Sequence, residues 1–240
     1  MSKQEQVPSG VTLVSLPFVS KQGFTGATLQ SIVLAVLANG MRMTKFLFLG
    51  DHSQVMARNS SCEDAVEIGA DWVWFIDSDA DFPSDTLERL KACDADIACT
   101  DMWSRNIPSF RTVMRMREHN GELASFPIDG FPSGVEDADV CGMHCTLIRT
   151  SLLRKMKEAF PDRPWFWTTQ HGEDATFCFT AKQLGASIKC DFSIMSGHWG
   201  VARMAGQDWS RDANNQTMSV VNMEMMSRMG VKNLKVEGVV

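Results

Sequence analysis

Trp72-Val73-Trp74-Phe75-Ile76 is an unbroken apolar run that passes directly into Asp77-Ser78-Asp79-Ala80-Asp81. A strand with one face in water alternates apolar and polar residues; a run apolar on both faces must be covered on both. Five residues between turn signals are too few for a buried helix, so the run reads as a central strand. The rest of the first hundred residues supplies the covering layers. Val11 to Leu16 reads as a strand closed by Pro17. Thr28 to Leu37 carries a helical apolar pattern, ended by Asn39-Gly40. Met43 to Leu49 is the next strand, and Val55 to Ile68 a helix with Gly69 just past its end. Pro83-Ser84 opens a helix to about Ala92, with Asp85 and Glu88 suited to its positive end. Asp96 to Thr100 is a further strand. This alternation predicts an α/β fold, a mostly parallel central sheet flanked by helices. Its ligand crevice should lie beyond the carboxyl ends of the strands.

The second half is less regular. Strands are expected near Arg111 to Met116, Val140 to Ile148 and Ser187 to Phe192, and helices near Ser151 to Ala159 and Asp174 to Leu184. Residues 1–205 read as one domain, with halves at about 11–100 and 101–205. Residues 206–240 form a tail in which Met218, Val221, Met225 and Met229 recur at roughly helical spacing. That tail reads as a packing helix, with a lid or dimer contact as the alternative. No apolar stretch is long enough to span a bilayer, and Met1 to Gly10 has no signal-peptide core. A soluble cytoplasmic protein is expected, with no membrane partner. The seven cysteines show no disulfide framework, which fits a reducing compartment. Cys141, His144 and Cys145 lack a fourth ligand at zinc spacing and read as packing residues. The net charge of −6 argues against coating nucleic acid by charge alone.

Three places carry chemistry. Asp77 and Asp79 alternate on extended chain and so share a face at the strand's carboxyl end. Adjacent carboxylates repel unless a cation neutralises them, and oxygen ligands suit Mg²⁺ or Mn²⁺. The alternative is a solvated acidic turn. Glu173-Asp174 opens a helix, where the dipole stabilises acids and where a general base is also well placed. Ser196-Gly197-His198-Trp199-Gly200 follows a strand, and an imidazole there could ligate Mn²⁺.

The order of these motifs resembles a family. Arg58-Asn59 on a helix is followed by Gly69-Ala70-Asp71, Phe75-Ile76-Asp77-Ser78-Asp79, Phe82-Pro83 and Leu87-Glu88-Arg89-Leu90. Then come Asp96-Ile97, Gly142 with Leu147-Ile148-Arg149, Gly172-Glu173-Asp174 with Phe177-Cys178, Gly185, and Gly197-His198. Together they resemble the small GT-A (Rossmann-like) glycosyltransferases related to the large inverting family two, including bacteriophage versions. The resemblance implies that Asp79 is the main ligand of Mn²⁺ or Mg²⁺. Asp77 would touch the ribose or the metal shell, and His198 would complete the coordination or touch the diphosphate. Leu16, Pro17 and Phe18 would hold the base of a UDP-sugar such as UDP-glucose, with Arg58 and Ser78 near the nucleotide. Asp174 would deprotonate the acceptor hydroxyl, with Glu173 as the competing assignment. Gly142 and His144 would shape the sugar and acceptor pocket.

The resemblance also makes 5-hydroxymethylpyrimidine in phage DNA a candidate acceptor. Arg105, Arg111, Arg115 and Arg117 lie in an acid-free stretch from Met102 to Arg117, suited to phosphate contacts or to an ordinary solvated surface. A glycan or protein acceptor stands beside it. A nucleotidyltransferase is the rival enzyme class, although only Gly23 and Gly26 hint at a phosphate loop. A non-catalytic glycan-binding module would not need Glu173-Asp174.

Overall fold

The computed structural model describes residues 10–18, 23–39, 44–50, 53–104, 111–119, 122–128, 130, 132–194 and 196–199. The tail helix expected over Met218 to Met229 lies outside the described residues, as does Arg105.

The chain runs β1 (Thr12–Phe18), α1 (Gly26–Asn39), β2 (Thr44–Gly50), α2 (Gln54–Glu67), β3 (Trp72–Ile76), β4 (Ala80–Asp81), α3 (Thr86–Ala92) and β5 (Ile97–Thr100). It continues through β6 (Met114–His119), β7 (Glu122–Pro127), β8 (Val135–Asp137), β9 (Cys145–Arg149), α4 (Thr150–Ala159), α5 (Glu173–Gln183), β10 (Ile188–Asp191) and β11 (Gly197–His198). All five residues of β3 are buried. Their alternation divides two cores. Val73 and Phe75 enter one with Cys62 of α2, Leu153 of α4 and Phe177 of α5. Trp72, Trp74 and Ile76 enter the other with Ile32 and Val36 of α1 and Leu87 of α3. The apolar run thus has the helical cover on both faces that it requires. Gly69 and Gly185 end α2 and α5 at φ +67° and +77°, a left-handed backbone that residues with a Cβ avoid.

The main sheet has seven strands in the order β2-β1-β3-β9-β5-β10-β8. β1 is parallel to β2 and β3, and β10 to β5. β9 is antiparallel to both β3 and β5, and β8 to β10. The sheet is therefore mostly parallel, with β9 and β8 reversed. The reversal of β9 positions the site. Its register pairs Ile76 with Cys145, so the next residues outward, Asp77 and His144, meet at the same rim. The Asp77 amide donates to the His144 carbonyl at 2.9 Å.

Downstream of β5 the structure corrects the sequence reading. β6 and β7 form a separate two-stranded hairpin, starting at Met114 rather than Arg111. Arg111 is not a phosphate-facing side chain. It is 5% exposed. Its Nε donates to Asp101 at 2.8 Å and its Nη1 to the carbonyls of Ile128 and Gly130 at 2.5 and 3.1 Å. Trp103 and Phe192 cover its guanidinium face at 5.1 and 5.2 Å. Arg115 is paired with Glu136 at 3.0 Å, and Arg117 is exposed on β6. Arg111→Ala leaves two carbonyls without their donor and leaves Asp101 without its cation, held by the Trp103 indole N–H at 3.2 Å, and should cost about 3 kcal/mol in denaturant unfolding.

Candidate active site

The acidic segment after β3 is held by a small sheet of its own. β4 pairs antiparallel with β11, setting His198 opposite Ala80. The Trp199 amide donates to the Asp79 carbonyl at 2.8 Å, and its indole N–H to the Asp81 carboxylate at 2.7 Å. On the other side the Ser78 carbonyl accepts from the Thr25 amide at 3.0 Å and the Thr28 hydroxyl at 3.1 Å. Ser78 thus anchors the start of α1 through its backbone.

This pairing brings together Asp79, His198 and His144, whose ligand atoms lie within 4.8 Å of one another. A carbonyl can only accept, so the ring nitrogen facing one must carry the hydrogen. His144 Nε2 faces the Gly197 carbonyl at 3.1 Å, and His198 Nδ1 faces the Trp103 carbonyl at 3.1 Å. In the neutral rings the lone pairs then sit on His144 Nδ1 and His198 Nε2. The latter is 3.5 Å from Asp79 Oδ1, and the rings are 4.6 Å apart. His144 Nδ1 is buried and makes no hydrogen bond. Burial, then the neighbouring His198, pushes His144 down to about 3, so it is neutral at ordinary pH. Imidazoles pinned by backbone carbonyls with their lone pairs turned toward a carboxylate match the way proteins orient metal ligands. The donor set fits a divalent cation: the unpartnered His144 nitrogen has a use there and none in its absence.

A second group adjoins it. Arg58 of α2 is 2% exposed. Its Nη1 donates to Glu173 at 3.0 Å and also to Asp174, while Nη2 lies 3.7 Å from Asp77. Burial opposes the guanidinium charge, but Asp174, Asp77 and Glu173 together raise its pKa above the ordinary value. Asp174 Oδ2 also accepts from the Met143 amide at 3.2 Å. Burial pushes Asp174 up to about 6 against the pull of Arg58, with Glu173 and Asp77 adding to the rise. A carboxyl in that range, with 28% of its side chain still open, suits a general base.

The residues singled out from sequence divide accordingly. Asp79 and His198 come together with His144, and the Asp77 carboxylate stands beside them, 3.7 Å from Arg58 Nη2 and 4.0 Å from His144 Nδ1. Asp174 and Glu173 stand beside each other at the start of α5. Arg58 is committed to three carboxylates and is not free for a nucleotide. Leu16 is 1% exposed and packs in the core, and Pro17 is also buried, so neither presents its side chain to a base. The side chain of Phe18 lies outside the described residues. From sequence His144 read as a packing residue within a strand and, through the resemblance, as part of the acceptor pocket, not as a metal ligand. Its signal was the reversed strand itself, which places it across from Asp77.

The whole arrangement defines a class of architecture: a mostly parallel, two-faced α/β sheet with an acidic turn and two histidines at its carboxyl rim. No protein family and no curated protein matches the chain by sequence. Among solved structures, A197 from STIV aligns over 81% of this chain and 88% of its own, with a TM-score of 0.54 and 20% identity. GalNAc-T7, solved with UDP, GalNAc and Mn²⁺, aligns over 78% of this chain and 43% of its own, with a TM-score of 0.51 and 11% identity. The chain thus shares its fold with both, and spans less than half the length of GalNAc-T7. Among the described residues no helix is long and apolar enough to cross a membrane.

Proposed function

We propose that this chain is a metal-dependent glycosyltransferase of the GT-A type, moving a sugar from a nucleotide-sugar donor to an acceptor hydroxyl. The observation that carries the reading is the Asp79, His144 and His198 group set at the sheet's rim near Asp174. The fold shared with GalNAc-T7, which was solved with UDP, GalNAc and Mn²⁺, supports a UDP-sugar donor. Asp79, His144 and His198 would hold the ion, and two imidazoles beside one carboxylate favour Mn²⁺ over Mg²⁺. When bound, the ion supplies positive charge where the leaving diphosphate becomes negative.

Asp174 takes the proton of the acceptor hydroxyl as its oxygen bonds to the anomeric carbon and the bond to the diphosphate breaks. Attack opposite the leaving group gives inversion. Glu173 sits beside Asp174 and shares Arg58, but lacks the Met143 amide. Asp174→Asn should lower kcat about 10²- to 10⁴-fold while UDP affinity is retained. The base must be ionised, so wild-type activity should fall as pH drops through about 6. That acidic limb should vanish from the residual activity of the mutant, measured as kcat against pH. A mutant with near wild-type turnover assigns the base to Glu173.

The function is tested by calorimetry of UDP binding with and without Mn²⁺, followed by turnover of common UDP-sugars. Equal UDP binding in both conditions, with no turnover, overturns the reading. The same assay assigns the acceptor. Labelled product on hydroxymethylated duplex DNA supports the DNA acceptor, which Arg111 no longer recommends. Product on a glycan or protein hydroxyl instead assigns that class.

A further inference from the structure

We infer that Cys178 is a positioning residue for the candidate metal centre, holding the turn that carries His144 against helix α5; the inference rests on the proposed function. The turn Cys141-Gly142-Met143-His144 leads into β9 and supplies two things to the site: the His144 imidazole and the Met143 amide on Asp174. Two hydrogen bonds tie this turn to α5. One is the Met143 amide to Asp174 at 3.2 Å. The other comes from the Cys178 thiol, which lies 3.6 Å from the Cys141 carbonyl and 3.9 Å from the Cys141 sulfur. Asp174 and Cys178 are four residues apart and so share one face of the helix. That face grips the turn at two points, one on each side of Gly142.

Both thiols are fully buried. The bond to the Cys141 thiol, and then burial, raise Cys178 well above its ordinary value, so it stays S–H and donates. The turn is also tied by the Thr146 hydroxyl to the Gly142 carbonyl at 2.7 Å, by the Asp77 amide to the His144 carbonyl at 2.9 Å and by His144 Nε2 to the Gly197 carbonyl at 3.1 Å, but none of these reaches α5. Without the thiol, the grip of α5 on the turn rests on the Met143 amide alone. The backbone that carries His144 is then held less tightly against α5, and the placement of its ring rests on the Nε2 bond to the Gly197 carbonyl. A partner that orients a metal-ligating side chain shows in metal affinity more than in fold stability.

The test compares Cys178→Val, which removes the donor and adds one heavy atom, with Cys178→Ser, which keeps a donor. Mn²⁺ affinity is read by electron paramagnetic resonance of the free ion in the presence of UDP. Thermal unfolding of the metal-free proteins serves as the control. We expect Cys178→Val to weaken Mn²⁺ binding about tenfold and to speed exchange of the Met143 amide hydrogen. Cys178→Ser should bind close to wild type. Should the valine variant fail to fold, Cys178→Ala replaces it. Unchanged Mn²⁺ affinity in the donor-free variant overturns this inference alone, as does a serine variant weakened as much as valine. Absence of Mn²⁺ binding by the wild-type protein overturns the inference together with the functional reading.

Discussion

Asp79→Asn should abolish transfer and reduce Mn²⁺-linked UDP binding by about 100-fold or more, while the protein stays folded. The magnitude follows from what is removed. Losing even an outer partner of a metal ligand commonly costs 10- to 100-fold in affinity, and Asp79 is the sole carboxylate of its group. The two imidazoles that remain would bind an ion through nitrogen lone pairs and bring no negative charge to offset a divalent cation. The fold should survive because the Asp79 backbone, not its carboxylate, ties this turn to Trp199. His144→Ala should match the loss of affinity, although the sequence alone did not place that residue in the group. Calorimetry of UDP with Mn²⁺, alongside circular dichroism, separates a lost ligand from a lost fold. A mutant that binds Mn²⁺ and UDP as wild type does would remove Asp79 from the metal centre.

Arg58→Met should destabilise the protein by about 3 kcal/mol, the cost of breaking a buried ion pair from one side. For a domain of this size that lowers the unfolding midpoint by roughly 10 °C. Asp77, Glu173 and Asp174 converge on this guanidinium from three directions. Methionine fills the same space without neutralising any of them. The pH dependence distinguishes this cause from simple loss of packing. Asp174 is already raised to about 6 with Arg58 present, and Arg58 is what holds it down. Without Arg58 its folded pKa rises further above the unfolded value. A raised acid binds more protons folded than unfolded, so stability is gained as pH falls through the folded pKa. The variant should therefore recover part of its lost stability between about pH 7 and pH 5, read by thermal unfolding across that range. A deficit independent of pH would point to packing instead.

The sequence by itself determined the central strand and its surroundings. Trp72 to Ile76 is apolar on both faces, and no solution short of a sheet covered on both sides buries it. The strand–helix alternation to Thr100 followed from local periodicity and from turn residues such as Gly69, signals carried by neighbours in the chain. The acidic turn after β3 and the Glu173-Asp174 helix start were visible for the same reason. What only the tertiary structure decided was strand direction and side-chain partnership. Cys145 to Ile148 is a buried run whose burial pattern carries no direction, so nothing local showed that β9 enters the sheet reversed. That reversal is what sets His144 across from Asp77. Arg58 and Arg111 looked like charges available to a nucleotide or a phosphate, because a charged residue in sequence looks exposed. Their carboxylate partners lie 19, 115 and 116 residues away for Arg58 and 10 away for Arg111. Burial of a charge depends on such distant partners, which only the folded chain brings within reach.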